Sequence, residues 1–463
     1  MLHTRDSGRI VVPGDPSWLA RYRGDLVWAF IVAGLVLAAF VVPHLRLGMV
    51  NPLIDSPAAQ YKALARTAPL LGTWLPHVGW GTPLAVVLAV AVVVWGTSLA
   101  ARLPWRRLIV GSWLASAGWA MSLTLIDGWH RGFVGRLEGR RDYLFEVPRT
   151  MFGLVHGFAA RIPANQPHSW NIQVAGHPPG ALLTFVGLAR VGLGGGAWAS
   201  TFCVAVGSSA AMAVLICIRA VDSETMARRA APFVVLAPTA IWIAVSADAY
   251  FAGIAAWGLT LLALAATRNT RFPTGASVGA GVLLGFCCYL NYGLVLMAIP
   301  ALAVLVIARN PRPIIGAIGG AAAVAIVFTA TGFWWFQGLS LLRQRYWAGV
   351  ARDRPFAYWV WANLASLACA VGLAAATAQH RVFSWPAIRR RAGLNLLCIA
   401  FLVAVVAANL SGLSKAETER IWLPFAVWLV AAPALLPRRS HRVWLSVQGI
   451  GALVINSLIL TAW

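Results

Sequence analysis

Three features of this chain lead to the expectation of an all-α, polytopic integral membrane protein with about thirteen transmembrane helices. Of its 463 residues, 60% are hydrophobic and only 11% charged, with a mean hydropathy of +0.74. A water-soluble domain carries about 25% charged residues. Apolar stretches near the length that crosses a hydrocarbon core of about 30 Å recur along the chain. The charges lie in short loops between those stretches.

Apolar runs bounded by charge, Pro or Gly place spans at 26–43, 83–101, 108–126, 198–218, 230–247, 249–267, 274–289, 293–308, 313–333, 357–379, 393–410, 421–436 and 443–462. The first 25 or so residues are too polar for a cleavable leader, so the run from Leu26 to Val42 reads as a retained anchor. Ala181 to Leu193 forms a helix too short to span, expected along the interface. No segment is long enough to fold as a separate soluble domain, and residues 44–82 carry no recognisable pattern.

The net charge of +23 would suit a nucleic-acid partner only as a basic stripe interleaved with aromatics, and no soluble segment carries one. Almost all the cations are Arg in loops, as orientation signals are. With the N-terminus in the cytoplasm, the cytoplasmic segments hold 21 of the 37 Lys and Arg, and each has at least two. That favours N-in, C-out. The acids run the other way. Nine of 14 then lie outside: Asp55, Asp127, Glu138, Asp142, Glu146, Asp248, Asp353, Glu417 and Glu419. The six cysteines fall inside apolar spans without zinc-ligand spacing and read as small buried hydrophobes.

Three outer segments carry the unusual chemistry: 127–197, 332–357 and 409–420. The first holds Asp127-Gly128, then Asp142-Tyr143, Glu146 and His177-Pro178-Pro179-Gly180. Ser246-Ala247-Asp248 lies between two closely joined spans, and Glu419-Arg420-Ile421-Trp422-Leu423-Pro424 opens a late one. An acid and Tyr after a span, a His-Pro-Pro turn, an acidic junction and a late Arg-x-x-x-Pro, in that order, resemble the GT-C superfamily of polyprenyl-phosphate-sugar glycosyltransferases. The resemblance covers residues 108 to about 440, so residues 1–107, with two spans, precede a core of 108–463. Two departures stand out: Arg141 replaces the first acid of the usual double-acid pair, and no large domain follows the last span.

The resemblance implies an enzyme of a bacterial plasma membrane. It takes a sugar, mannose or arabinose in the family, from a polyprenyl-phosphate donor to an envelope glycan or glycolipid on the extracytoplasmic face. Such a transfer needs a base for the acceptor hydroxyl and cations for the departing phosphate. A partly desolvated carboxylate has its pKa pushed up toward that task. Asp142 is the candidate base, with Asp127 the alternative. His177, Arg343, Arg345 and Arg420 are candidates for the donor phosphate, and Tyr143, Glu146, Asp248 and Lys415 for further substrate contact. Each has a plainer reading: Asp142 as a loop carboxylate beside Arg140 or Arg141, Asp127 as a helix-end residue, Glu146 as structural, His177 as part of a Pro-Pro turn, Asp248 as a junction residue facing water. Lys415 to Arg420 also reads as a solvated cap, and the Arg-aromatic run 332–357 as an interfacial helix.

No cofactor is implied beyond the lipid-linked donor, although a divalent ion between carboxylates stays open. There is no phosphate-loop sequence, and Gly192 to Gly196 lacks the strand and helix a dinucleotide turn needs. A flippase for lipid-linked sugars would place polar groups near the bilayer midplane and repeat internally, and a scaffold would leave the acid, His and Arg pattern unexplained.

Overall fold

The computed structural model describes residues 18–45, 67–149 and 155–462. Arg5, Asp6, Arg9, Asp15 and Asp55 lie outside them, as does most of the 44–82 stretch. The chain forms a helical bundle: α1 (Trp18–Val41), α2 (Gly81–Arg102), α3 (Trp105–Thr124), α4 (Pro179–Arg190), α5 (Gly196–Val221), α6 (Glu224–Val235), α7 (Ala247–Ala266), α8 (Pro273–Leu290), α9 (Tyr292–Ala308), α10 (Pro313–Ala330), α11 (Trp335–Ala348), α12 (Phe356–Val371), α13 (Leu373–Val382), α14 (Gly393–Leu410), α15 (Leu423–Leu435) and α16 (His441–Leu458).

Among the described residues, seven helices are long and apolar enough to cross a membrane: α1, α2, α5, α7, α8, α10 and α14. The number rises to nine if two bent pairs each count as one span, α3 with Trp129–Leu137 (117°) and α12 with α13 (109°). Large apolar side chains face outward from these helices, Phe30 at 77% and Ile315 at 76% exposure, as a lipid-facing shell requires. The protein is a polytopic all-α membrane protein, but the expected thirteen continuous spans are not seen.

The physical reasons are local. The 230–247 stretch carries Pro232 and breaks after Val235, and Val245 adopts φ +84°. The 293–308 stretch opens as a 3₁₀ turn over Tyr292–Met297. The 421–436 stretch passes from α to 3₁₀ at Ala432–Leu435, beside Pro433. The last residues of 443–462 leave the helix as a strand, Ile459–Thr461. In 357–379, Gly372 at φ +85° makes the bend, and a Cβ there would lie 2.9 Å from Pro238.

α7 is the axis of the bundle, buried along most of its length and packed against α5, α8, α9 and α15. α1, read from sequence as preceding the core, docks late in the chain. Asp25 receives Arg381 Nε at 2.6 Å and Nη2 at 2.8 Å, and Trp28 stacks on His380. α8 and α10 cross closely where Gly281-x-x-x-Gly285 meets Gly316-x-x-x-Gly320. A Cβ on Gly281 would lie 2.0 Å from the Ala317 carbonyl oxygen, whereas one on Gly319 would meet nothing within 4 Å. Gly281→Ala is therefore expected to cost about 1–3 kcal/mol by overpacking. Thermal unfolding in lipid nanodiscs checks this, with Gly319→Ala expected to be neutral.

Residues 67–80, silent in sequence, form a strap across one end of the bundle. Gly72–Trp74 pairs antiparallel with Ile459–Thr461, with Gly72 opposite Thr461. His77 N–H donates to the Ser457 carbonyl at 2.8 Å, and Leu71 N–H to Glu419 Oε1 at 3.1 Å.

Candidate active site

The three unusual segments meet at this same end of the bundle. After α3 the chain turns through Gly128 (φ +92°) and folds back as Trp129–Phe133 and Val134–Leu137. Asp127, at this elbow, is almost fully buried and doubly held. Its Oδ1 faces His77 Nε2 at 2.6 Å and its Oδ2 accepts from Arg136 Nη2 at 2.8 Å. Arg136 also donates to the Thr461 carbonyl at 2.8 Å. Asp127 thus joins strap, elbow and C-terminal strand.

Asp142 is placed differently. It stands at the N-cap of the turn Tyr143–Glu146 with extended backbone (φ −103°, ψ 174°), but its carboxylate does not cap that turn. Its main-chain oxygen accepts from Asn171 Nδ2 at 2.7 Å. Among the described residues the carboxylate has no direct hydrogen-bond or ion-pair partner. Burial pushes its pKa up to about 6, against the pull of Arg420, Arg136 and Arg141. That combination is the one a general base needs.

His177 follows the turn Ile172–Ala175. Pro178 is extended, and Pro179 starts α4 at its first helical position, where a missing N–H costs nothing. Gly180 completes the motif for a packing reason: a Cβ there would lie 2.5 Å from the Tyr289 carbonyl oxygen of α8. His177 Nδ1 donates to the Gln173 carbonyl at 2.8 Å, and the ring packs between Tyr143 (5.8 Å) and Phe251 (5.6 Å). Burial lowers the imidazole pKa, so the ring is neutral near pH 7.

Asp248, in the first turn of α7, accepts from Arg420 Nη1 at 2.5 Å. Arg420, in the turn Thr418–Ile421, also donates Nη2 to Glu417 Oε2 at 2.9 Å. Arg354 reaches the other oxygen of Glu417 at 3.3 Å. Glu417 sits at φ +64° after Ala416 at φ +69°, a kinked entry that swings it back onto the two arginines. Burial would raise the Glu417 pKa, but Arg354 and Arg420 hold it below the ordinary value. Burial alone would lower that of Arg420, yet Asp248 and Glu417 raise it, so it stays cationic.

The structure therefore brings Asp142, Tyr143, His177, Asp248 and Arg420 into one cluster. The other sequence candidates are engaged elsewhere or exposed. Arg345 donates to the Ile162 carbonyl at 2.6 Å and the Trp170 carbonyl at 3.0 Å, tying α11 to the 155–171 loop. Lys415 is buried with Nζ on the Ala351 and Arg354 carbonyls, over the Trp347 ring at 4.6 Å. Glu146 accepts from the Asn171 N–H at 3.2 Å. Arg343 is exposed on α11, a helix that also exposes Phe336 and Trp347.

Sequence reasoning missed His77 and Arg136, and it did not pair Arg354 with Glu417. The one local signal was the Glu417–Arg420 spacing, i to i+3. A cavity of about 320 Å³ adjoins the cluster through Phe185, which touches Tyr143. Its walls include Leu144, Phe145, Pro148 and Leu188, and none of Asp142, His177, Asp248 or Arg420 lines it. Among the described residues no group of three or more His, Cys, Asp or Glu could hold a metal ion. Asp127, Asp248 and Glu417 each face a guanidinium, the donor set of an ion-pair network.

No family model matches the chain, and no curated protein matches it. Solved structures do. The structure is similar to the Archaeoglobus fulgidus oligosaccharyltransferase in complex with Zn and sulfate, at 14% identity and a TM-score of 0.47, over 77% of this chain and 52% of that one. It is also similar to the archaeal oligosaccharyltransferase AglB from Archaeoglobus fulgidus in complex with an inhibitory peptide and a dolichol-phosphate. That match has 12% identity and a TM-score of 0.43, over 71% of this chain and 50% of that one. The chain spans about half the length of these neighbours.

Proposed function

We propose that this protein is a membrane glycosyltransferase that moves a sugar from a polyprenyl-phosphate donor to a hydroxyl of an envelope glycan or glycolipid. The site faces the extracytoplasmic side of a bacterial plasma membrane, with the N-terminus inside; the Arg distribution supports that orientation. One observation carries the reading: a half-buried carboxylate, Asp142, with a pKa pushed up to about 6 and no direct partner among the described residues, in the field of Arg420, Arg136 and Arg141.

In the transfer, the acceptor oxygen attacks the anomeric carbon as the bond from that carbon to the phosphate oxygen breaks. The acceptor proton goes to the Asp142 carboxylate. The lipid phosphate leaves with the bonding electron pair, and the neighbouring guanidinium groups offset its growing charge. Asp127, held by His77 and Arg136, positions Arg136 near Asp142.

The test uses the purified full-length protein in nanodiscs, given synthetic farnesyl-phosphoryl mannose or arabinose and a membrane glycolipid extract. The expected result is acceptor-dependent release of farnesyl phosphate. Movement of the intact lipid across vesicles, without release, would replace this reading with a flippase.

A further inference from the structure

Three polar atoms at the inner side of the cluster have no hydrogen-bond partner among the described residues. Two of them, Asp248 Oδ1 and the Tyr143 hydroxyl, are fully buried atoms. The third is His177 Nε2, in a residue that is 8% exposed. The groups are neighbours. His177 packs against Phe251, which lies one turn after Asp248 on α7, and against Tyr143 on the opposite side. A buried polar atom left without a partner costs about 1–3 kcal/mol, so three together mark a place built for something else to bind.

What they can accept follows from their chemistry. The Gln173 carbonyl only accepts, so His177 Nδ1 carries the proton, and in the neutral ring Nε2 is an acceptor. Asp248 Oδ2 pairs with the Arg420 guanidinium, and its Oδ1 serves as a second acceptor. The Tyr143 hydroxyl donates or accepts. None of the three atoms is cationic. A phosphate oxygen, itself only an acceptor, would meet a lone pair and a carboxylate. A ring bearing hydroxyl groups meets two acceptors and one hydroxyl beside the His177 ring.

We infer that Tyr143, His177 and Asp248 form a subsite for the hydroxyl groups of the donor's sugar, separate from the cations that meet its phosphate. This rests on the donor assignment under Proposed function, and it moves His177 from the phosphate, where the sequence put it, to the sugar.

The experiment measures binding to the full-length protein in nanodiscs by tryptophan fluorescence. The probes are farnesyl phosphate and a panel of farnesyl-phosphoryl hexoses and pentoses. The wild type should bind at least one sugar-bearing probe about tenfold or more tightly than bare farnesyl phosphate. Tyr143→Phe, which keeps the ring packing, and His177→Ala should each erase most of that difference while leaving the Kd for farnesyl phosphate unchanged. If the variants weaken both probes equally, the subsite serves phosphate and the inference is wrong, while the lipid-linked donor stands. It is also wrong if no sugar on the panel adds affinity. Failure of the wild type to bind any probe would overturn the donor assignment and the subsite together. Should His177→Ala lose its fold by thermal melting, Tyr143→Phe alone decides.

Discussion

Asp142→Asn should lower kcat by about 10²–10⁴-fold, the usual contribution of a positioned general base. The amide keeps the shape of the turn and the backbone contact to Asn171, so the loss reports the proton-accepting oxygen rather than local collapse. Two further readouts separate catalysis from structure. First, the wild-type kcat/KM should fall about tenfold per pH unit below about 6, where the carboxyl becomes protonated, and the variant should lose that limb. Second, the stability effect should have the opposite sign to the activity effect. The folded-state pKa is raised from 3.8, so this group's contribution to stability is full below about 3.8 and is lost as pH rises through about 6. At pH 7 a shift of this size corresponds to at most about 3 kcal/mol of destabilisation by the ionised form. Asp142→Asn should therefore melt at or above the wild-type temperature at pH 7, yet be nearly inactive. A variant that is both inactive and less stable would mark Asp142 as structural.

Arg420→Met should be the most destabilising single change at this end of the bundle, by about 3–5 kcal/mol. Arg420 is 5% exposed and neutralises Asp248, which is fully buried. Removing the guanidinium leaves the Asp248 charge without its cation in a desolvated position, whereas Glu417 retains Arg354. The diagnostic comparison is the double variant Arg420→Met with Asp248→Asn. Removing both charges should restore most of the melting temperature, because the penalty comes from the orphaned carboxylate. Transfer activity should not return, since the cation beside the phosphate is still missing. Thermal melting and farnesyl phosphate release, measured on the two variants together, check both statements. Equal melting temperatures for the single and double variants would show that the pair contributes shape rather than charge balance.

Much of this could be read along the chain, because the signals were local. Membrane helices announce themselves by length and apolarity, so α1, α2, α5, α7, α8, α10 and α14 follow from residues within each segment. The Pro-Pro turn at His177 and the acid at the start of α7 are equally local, since a fixed φ or a helix end acts over a few residues. Where expectation and structure differ, as at Pro232, Pro433 and Gly372, the residue that breaks the helix was visible, but the direction the chain takes afterwards depends on what it packs against.

The distinction between working and structural charge was decided only in three dimensions. Asp127 and Asp142 look alike in sequence, yet one is held by a histidine 50 residues earlier and an arginine, and the other is left without a direct partner. In sequence Arg345 reads as a phosphate ligand and Lys415 as a substrate contact, whereas in space the carbonyls of Ile162, Trp170, Ala351 and Arg354 close around them. Composition and periodicity determined by themselves that this chain lives in a bilayer and gathers polar residues at helix ends, because hydropathy is a sum over neighbours in sequence. Which of those residues face each other, and which stay unsatisfied, was decided by the tertiary structure, because hydrogen bonds and desolvation depend on distance in space.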